Sequence, residues 1–155
     1  MYKRQLELQR LRATEAGLDR LTGYQDALAD AGRAPDPRLV VAGDFTEAGG
    51  ARAMEALLAQ APDLDAVFVA SDPMAVGALH VLRTAGRSVP GDVAVVGFDD
   101  APVALRSDPP LTTVTQPLEE MTAVMIELLL AQVDRTTDGV QTRVCPTRLV
   151  RRASA

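Results

Sequence analysis

Tryptophan is absent from this sequence, three phenylalanines and two tyrosines are its only aromatic residues, and Lys3 is its single lysine. Each scarcity excludes something. A flat platform for a base or a sugar ring can come only from Phe45, Phe68, Phe98, Tyr2 or Tyr24, and any core must be aliphatic. A net charge of −5, without a basic stripe, argues against this stretch of chain itself gripping a phosphate backbone. Cys145 is the only cysteine and His80 the only histidine, so an intrachain disulfide and a Cys/His zinc site within one chain are both excluded. No metal site is expected. No run of about 18 apolar residues is long enough to span a membrane. The charged first twelve residues lack the apolar centre of a secretory signal, so the expected location is cytoplasmic.

What is present is an alternation of apolar runs. With 155 residues, 47% of them hydrophobic, the chain is long enough for one domain to bury about two-thirds of its unfolded surface. The most informative stretch is 66–82, AVFVASDPMAVGALHVL. Residues 66–70 read as a strand buried on both faces, ending in Ser71-Asp72-Pro73. There a helix should begin, with Asp72 as its cap and Pro73, which has no N–H to lose, in its first turn. Met74, Ala75, Ala78, Leu79 and Leu82 recur every three or four residues and give the helix one apolar face. In open parallel sheets ligands sit outside the carboxyl ends of the strands, which places Ser71 and Asp72 where recognition would occur.

The rest of the chain repeats this unit. Residues 1–12 favour neither period. A helix is expected over 18–31 with Gly32 after it, then a loop at Pro35 and Pro37, a brief strand over 39–42, and a helix capped by Thr46 and carrying Met54, Leu57 and Leu58. Gly49 and Gly50 weaken that helix by about 1 kcal/mol each relative to Ala, which implies something packed close to its first turns. A second doubly buried strand spans 93–97 and ends in Phe98-Asp99-Asp100. Residues 101–110 read as irregular, 111–115 as a strand, 117–133 as a long helix whose apolar face has no evident partner, and 140–150 as a last strand. Strands alternating with helices indicate a doubly wound, mostly parallel α/β sheet.

Several residue types invite chemistry. Asp99-Asp100 at a strand's carboxyl end suits ligand hydroxyls, a metal or a nucleophile, or merely a turn. A phosphoacceptor site would need a later lysine, and the adjacent acids do not form an Asp-x-Asp pair. Arg20 opens a helix beside the expected mouth, and Phe45 sits between a strand and a helix. Ser71 lies in no G-x-S-x-G elbow, and His80 has no acidic neighbour one turn away. No dinucleotide glycine fingerprint and no P-loop are present. Nothing here points to an enzyme or to a cofactor.

Three blocks carry a resemblance: RLTGYQDAL from Arg20, GDFT from Gly43, and AVFVASDPMAVGA from Ala66. Further on, GRSVPGDVAVVGFDD from Gly86, PLTTVTQP from Pro110 and PTRLVRR from Pro146 keep the same order. The chain resembles the effector-binding domain of LacI/GalR-type bacterial transcriptional regulators. The resemblance implies the second lobe of a periplasmic-binding-protein-like (type I) fold, incomplete at its N-terminus. It divides the chain into a leader over 1–19, the lobe proper over 20–116, a helix over 117–133 belonging to an absent first lobe, and a return segment over 134–155. It implies that Arg20, Phe45, Ser71, Asp99 and Gln116 contact a small-molecule effector, expected to be a sugar, and that Val76, Leu79 and His80 face a partner in a homodimer. Operator DNA would be bound only through an absent headpiece. A periplasmic sugar-binding protein of a transport system is the alternative that the same lobe fold allows.

Overall fold

The computed structural model describes residues 17–134, 139 and 141–155, so residues 1–16 of the leader over 1–19 and residues 135–138 and 140 lie outside the described residues. Helix α1 occupies 17–30, and Gly32 follows with a positive φ of 68°. That left-handed position is one glycine adopts without strain. Helix α2 (Glu47–Gln60) begins where the sequence predicts, with the Thr46 hydroxyl accepting the Gly49 N–H at 2.9 Å. Strand β1 (Ala66–Phe68), helix α3 (Asp72–Thr84), strand β2 (Ala94–Asp99), the short helix α4 (Pro102–Arg106), strand β3 (Thr112–Thr115), helix α5 (Leu118–Val133) and strand β4 (Arg148–Val150) complete the order.

The fold is mixed α/β, with an open four-stranded sheet ordered β1-β2-β3-β4. β1, β2 and β3 are parallel, and β4 returns antiparallel to β3. The register sets Gly97 opposite Thr113 and Asp99 opposite Thr115. Met74, Ala75, Ala78, Leu79 and Leu82 are all buried, as the helical spacing predicts, and pack with Met54, Leu57, Val93, Val95 and Leu111 in one core. Each fully buried Leu or Val contributes about 1.5–3 kcal/mol by leaving water.

Gly50 and Gly77 explain how α2 and α3 come so close. A Cβ on Gly50 would lie 2.6 Å from the Met74 carbonyl carbon, and one on Gly77 would lie 2.7 Å from the Ala51 nitrogen. Backbone meets backbone at both points. The crowding expected around Gly49 and Gly50 is therefore real, with Gly49 set against the Asp44 carboxylate.

The structure corrects four local expectations. The strand expected over 39–42 is absent: Asp36 caps a short 3₁₀ turn at Pro37–Leu39, and Val40 is extended but joins no ladder. A strand exists only through its neighbour, and among the described residues none is paired with this segment. The irregular stretch 101–110 contains α4, begun by Pro102. The last strand shrinks from 140–150 to Arg148–Val150, the part that reaches β3. Asp72 is not the cap of α3: Ser71 holds that position, and Asp72 is already helical.

Helix α5 has no buried residue; Leu118, Met125, Leu129 and Val133 are all at least 60% exposed. The apolar face without a partner, read from the sequence, is thus a feature of the described structure.

Candidate functional site

The carboxyl ends of β1 and β2 meet the start of α1 and the Phe45 turn, and there the predicted polar and aromatic residues converge. Among the described residues, three non-glycine residues have positive φ, namely Phe45 (61°), Asp99 (110°) and Asp100 (55°), and all three lie in these turns. Such conformations cost of order 1–3 kcal/mol each and persist only where surrounding contacts impose them.

Arg20 reaches from the first turns of α1 over the end of β2. Its guanidinium lies 4.2 Å from the centre of the Phe98 ring and 5.7 Å from that of Phe45. The same group stands 3.6 Å from Asp99 Oδ1. Gln116 Nε2 donates to that oxygen at 2.6 Å. One carboxylate therefore links residues from α1, β2 and the end of β3. Its side chain remains about one-third exposed, and Oδ2 has no hydrogen-bond partner among the described residues. A guanidinium and a carboxylate side by side offer directed donors and acceptors to hydroxyls, and aromatic faces cover apolar C–H surface.

Ser71 is 2% exposed, and its hydroxyl has no hydrogen-bond partner among the described residues. Such a group is costly to bury and is ordinarily satisfied by something. Val76 is half-buried and His80 exposed on α3, whereas Leu79 is 6% exposed and belongs to the core. Leu79 therefore offers little surface to a partner. Among the described residues, no group of three or more acidic, His or Cys side chains is arranged to hold a metal ion.

Sequence reasoning named Phe68 and Phe98 only as possible aromatic platforms and did not single out Arg152. The Phe68 and Phe98 rings meet edge to face at 6.4 Å, which sets the Phe98 plane beneath Arg20. For the two phenylalanines the available signal was position, since Phe98 closes an apolar run and Phe68 lies within one, each near a strand's carboxyl end. Arg152 binds Asp100 Oδ1 at 2.6 Å and the Leu111 carbonyl at 2.9 Å. A separation of 52 residues hid that pair. A cavity of about 500 Å³, lined by Arg20, Phe45 and Phe68 of the site and by Leu21, Tyr24, Met54 and Val67, runs beside β1.

Comparison with known proteins points one way. Residues 8–155 match the periplasmic binding protein-like domain family. The chain is 50% identical over 139 residues to the HTH-type transcriptional regulator CelR of Thermobifida fusca, covering 90% of this chain and 41% of that protein. It is 43% identical over 136 residues to the HTH-type transcriptional regulator GalR of Escherichia coli K12, covering 88% of this chain and 40% of that one. A solved complex of the transcriptional regulator CelR with cellobiose superposes with a TM-score of 0.87 at 49% identity, covering 90% of this chain and 42% of that structure. The chain thus spans about two-fifths of the length of the curated relatives it matches. Among the described residues, no helix is long and apolar enough to cross a membrane.

Proposed function

The chain belongs to the periplasmic binding protein-like domain family, with LacI/GalR-type regulators as its relatives, and from that premise we propose that it is the effector-binding part of a cytoplasmic, DNA-binding transcriptional regulator. The effector is a sugar. Arg20, Asp99 and Gln116 bind its hydroxyls, Phe45 covers an apolar face, and the Ser71 hydroxyl donates to it. The observation that carries this reading is the Arg20 guanidinium held over Phe98 and beside an Asp99 carboxylate whose second oxygen is open to a ligand. Cellobiose, bound by the CelR relative, is the first candidate.

In this reading the chain catalyses nothing. The named relatives are transcriptional regulators, which favours a regulator over a transport protein. The exposed apolar face of α5 packs on a first lobe. Val76 and His80 contribute to a homodimer. Operator recognition resides in the part of the relatives that this acidic chain does not match. Effector binding then acts by its differential affinity for two lobe arrangements.

The test is calorimetric titration of the chain with cellobiose and a panel of mono- and disaccharides. Arg20→Met and Asp99→Asn should each weaken the best ligand by about 2 kcal/mol, roughly thirtyfold in Kd, since each removes a charge-assisted hydrogen bond. Unchanged affinity in both variants, or no binding by any sugar, refutes the reading.

A further inference from the structure

We infer that Asp72 is a positioning residue for the effector site: its buried carboxylate holds the Asp99-Asp100 turn in the conformation that presents the Asp99 side chain. The inference rests on the site proposed above. Asp72 is 0% exposed. Its Oδ1 accepts the Thr113 hydroxyl at 2.6 Å, and its Oδ2 accepts the Ala101 N–H at 2.7 Å. Among the described residues no cation pairs with it; the ion pairs they form use Asp36, Asp44, Asp99 and Asp100.

A carboxylate buried without a cation is an expensive way to stabilise a fold. Nor does it cap α3, because both its oxygens bond elsewhere. The strand opposite has given up a side chain to admit it. A Cβ on Gly97, in the interior of β2, would collide with Asp72 Oδ1 and lie 2.7 Å from Leu111 Cδ2. A glycine inside a strand otherwise weakens it and marks the close approach of another group.

The geometry shows what this arrangement does. Gly97 lies two residues before Asp99, and Ala101 lies two after it. Between them run the two positive-φ residues, Asp99 and Asp100. Fixing the Ala101 N–H on Asp72 and the Asp100 carboxylate on Arg152 holds the turn on two sides. Only one side chain in the turn is left to face the mouth, that of Asp99, aimed at Arg20 and Gln116. Asn at position 72 can keep this role: its oxygen still accepts the Ala101 N–H, and its amide donates to a rotated Thr113 hydroxyl. Ala cannot.

The experiment compares the isotopically labelled full chain with Asp72→Ala and Asp72→Asn by NMR, reading amide exchange at Ala101, the Asp99 carboxyl carbon and the Gln116 side-chain amide, then titrates each with cellobiose and the sugar panel. In Asp72→Ala, Ala101 should exchange about tenfold faster or more, and the Asp99 and Gln116 resonances should move while core amides such as Leu82 stay protected. Asp72→Asn should restore all three signals. The best sugar should bind Asp72→Ala at least about tenfold more weakly and Asp72→Asn within about threefold of the parent. A folded Asp72→Ala variant with unmoved Asp99 and Gln116 signals overturns the inference. If that variant does not fold, the parent decides: an Ala101 amide exchanging as fast as exposed Gly91 overturns it, and a protected one retained in Asp72→Asn supports it. If no sugar binds the parent, the effector reading fails, while the exchange and resonance data still decide the role of Asp72.

Discussion

Replacing Gly77 by alanine should destabilise the protein although it improves the helix. In an exposed helix interior Gly→Ala gains about 0.8–1 kcal/mol. At position 77 the added Cβ would lie 2.7 Å from the Ala51 nitrogen and 2.9 Å from the Glu47 carbonyl carbon, both backbone atoms of or bordering α2. No side-chain rotation relieves such a contact. The helices must separate by several tenths of an ångström or more, loosening Met54 and Leu57 against Ala75 and Ala78, which share the core. Overpacking costs about 1–3 kcal/mol even where side chains can yield. At a backbone-on-backbone contact the upper end applies, leaving a net loss of about 2 kcal/mol. For a chain of this size that lowers Tm by roughly 4–8 °C. The control is Gly23→Ala on α1, where a Cβ meets nothing within 4 Å; it should raise stability by about 0.5–1 kcal/mol. Thermal and urea unfolding followed by circular dichroism measure both. A Gly77→Ala variant as stable as the parent would refute the claim that backbone contact sets the α2–α3 distance.

Two further predictions concern buried polar groups. The Ser154 hydroxyl accepts the Thr112 N–H at 2.8 Å and donates to the Val95 carbonyl at 2.6 Å; Ser154→Ala leaves both unpartnered and should cost about 1–3 kcal/mol by urea unfolding, a loss below about 0.5 kcal/mol counting against it. Burial raises the Asp72 pKa above its ordinary value, Asp99 and Asp100 act the same way, and the Thr113 and Ala101 bonds only partly oppose them. Stability from this group is thus fully present below the unfolded pKa and is lost as pH rises through the folded one. Asp72→Asn should accordingly gain on the parent as pH rises above the ordinary carboxylate pKa of about 4, and a pH-independent difference would contradict the assignment. Asp36, Asp44 and Asp92 behave oppositely: hydrogen bonds from Arg38, Thr46 and Ser88 lower their pKa values, so their contributions are present above the unfolded pKa and fade as pH falls.

Much of the candidate site was legible because its residues stand at strand ends. Asp99 follows an apolar run and Arg20 opens a helix beside the expected mouth; a parallel sheet brings such positions to one edge whatever their separation in sequence, whereas Gln116 was indicated only by the family resemblance. The structure brings Arg20, Asp99 and Gln116 within reach of one another. The Arg20–Phe98 stack was not legible, because the plane of a ring depends on its neighbour, here Phe68.

The amino-acid sequence by itself determined the elements with strong local signals. The apolar face of α3, the Thr46 cap, the parallel strands that precede Ser71 and end at Asp99, and the unpartnered face of α5 all follow from spacing within about 16 residues or fewer, on the scale of a helix or strand. Tertiary structure alone decided where long-range partners were needed. The 39–42 segment has strand composition but no described neighbour to complete a ladder. Asp72 has a capping residue's chemistry, yet Thr113, 41 residues away, and Ala101, 29 away, claim its oxygens. A carboxylate buried in a protein bonds to the donors that packing brings to it, and packing is a property of the assembled sheet and helices rather than of any one stretch of chain.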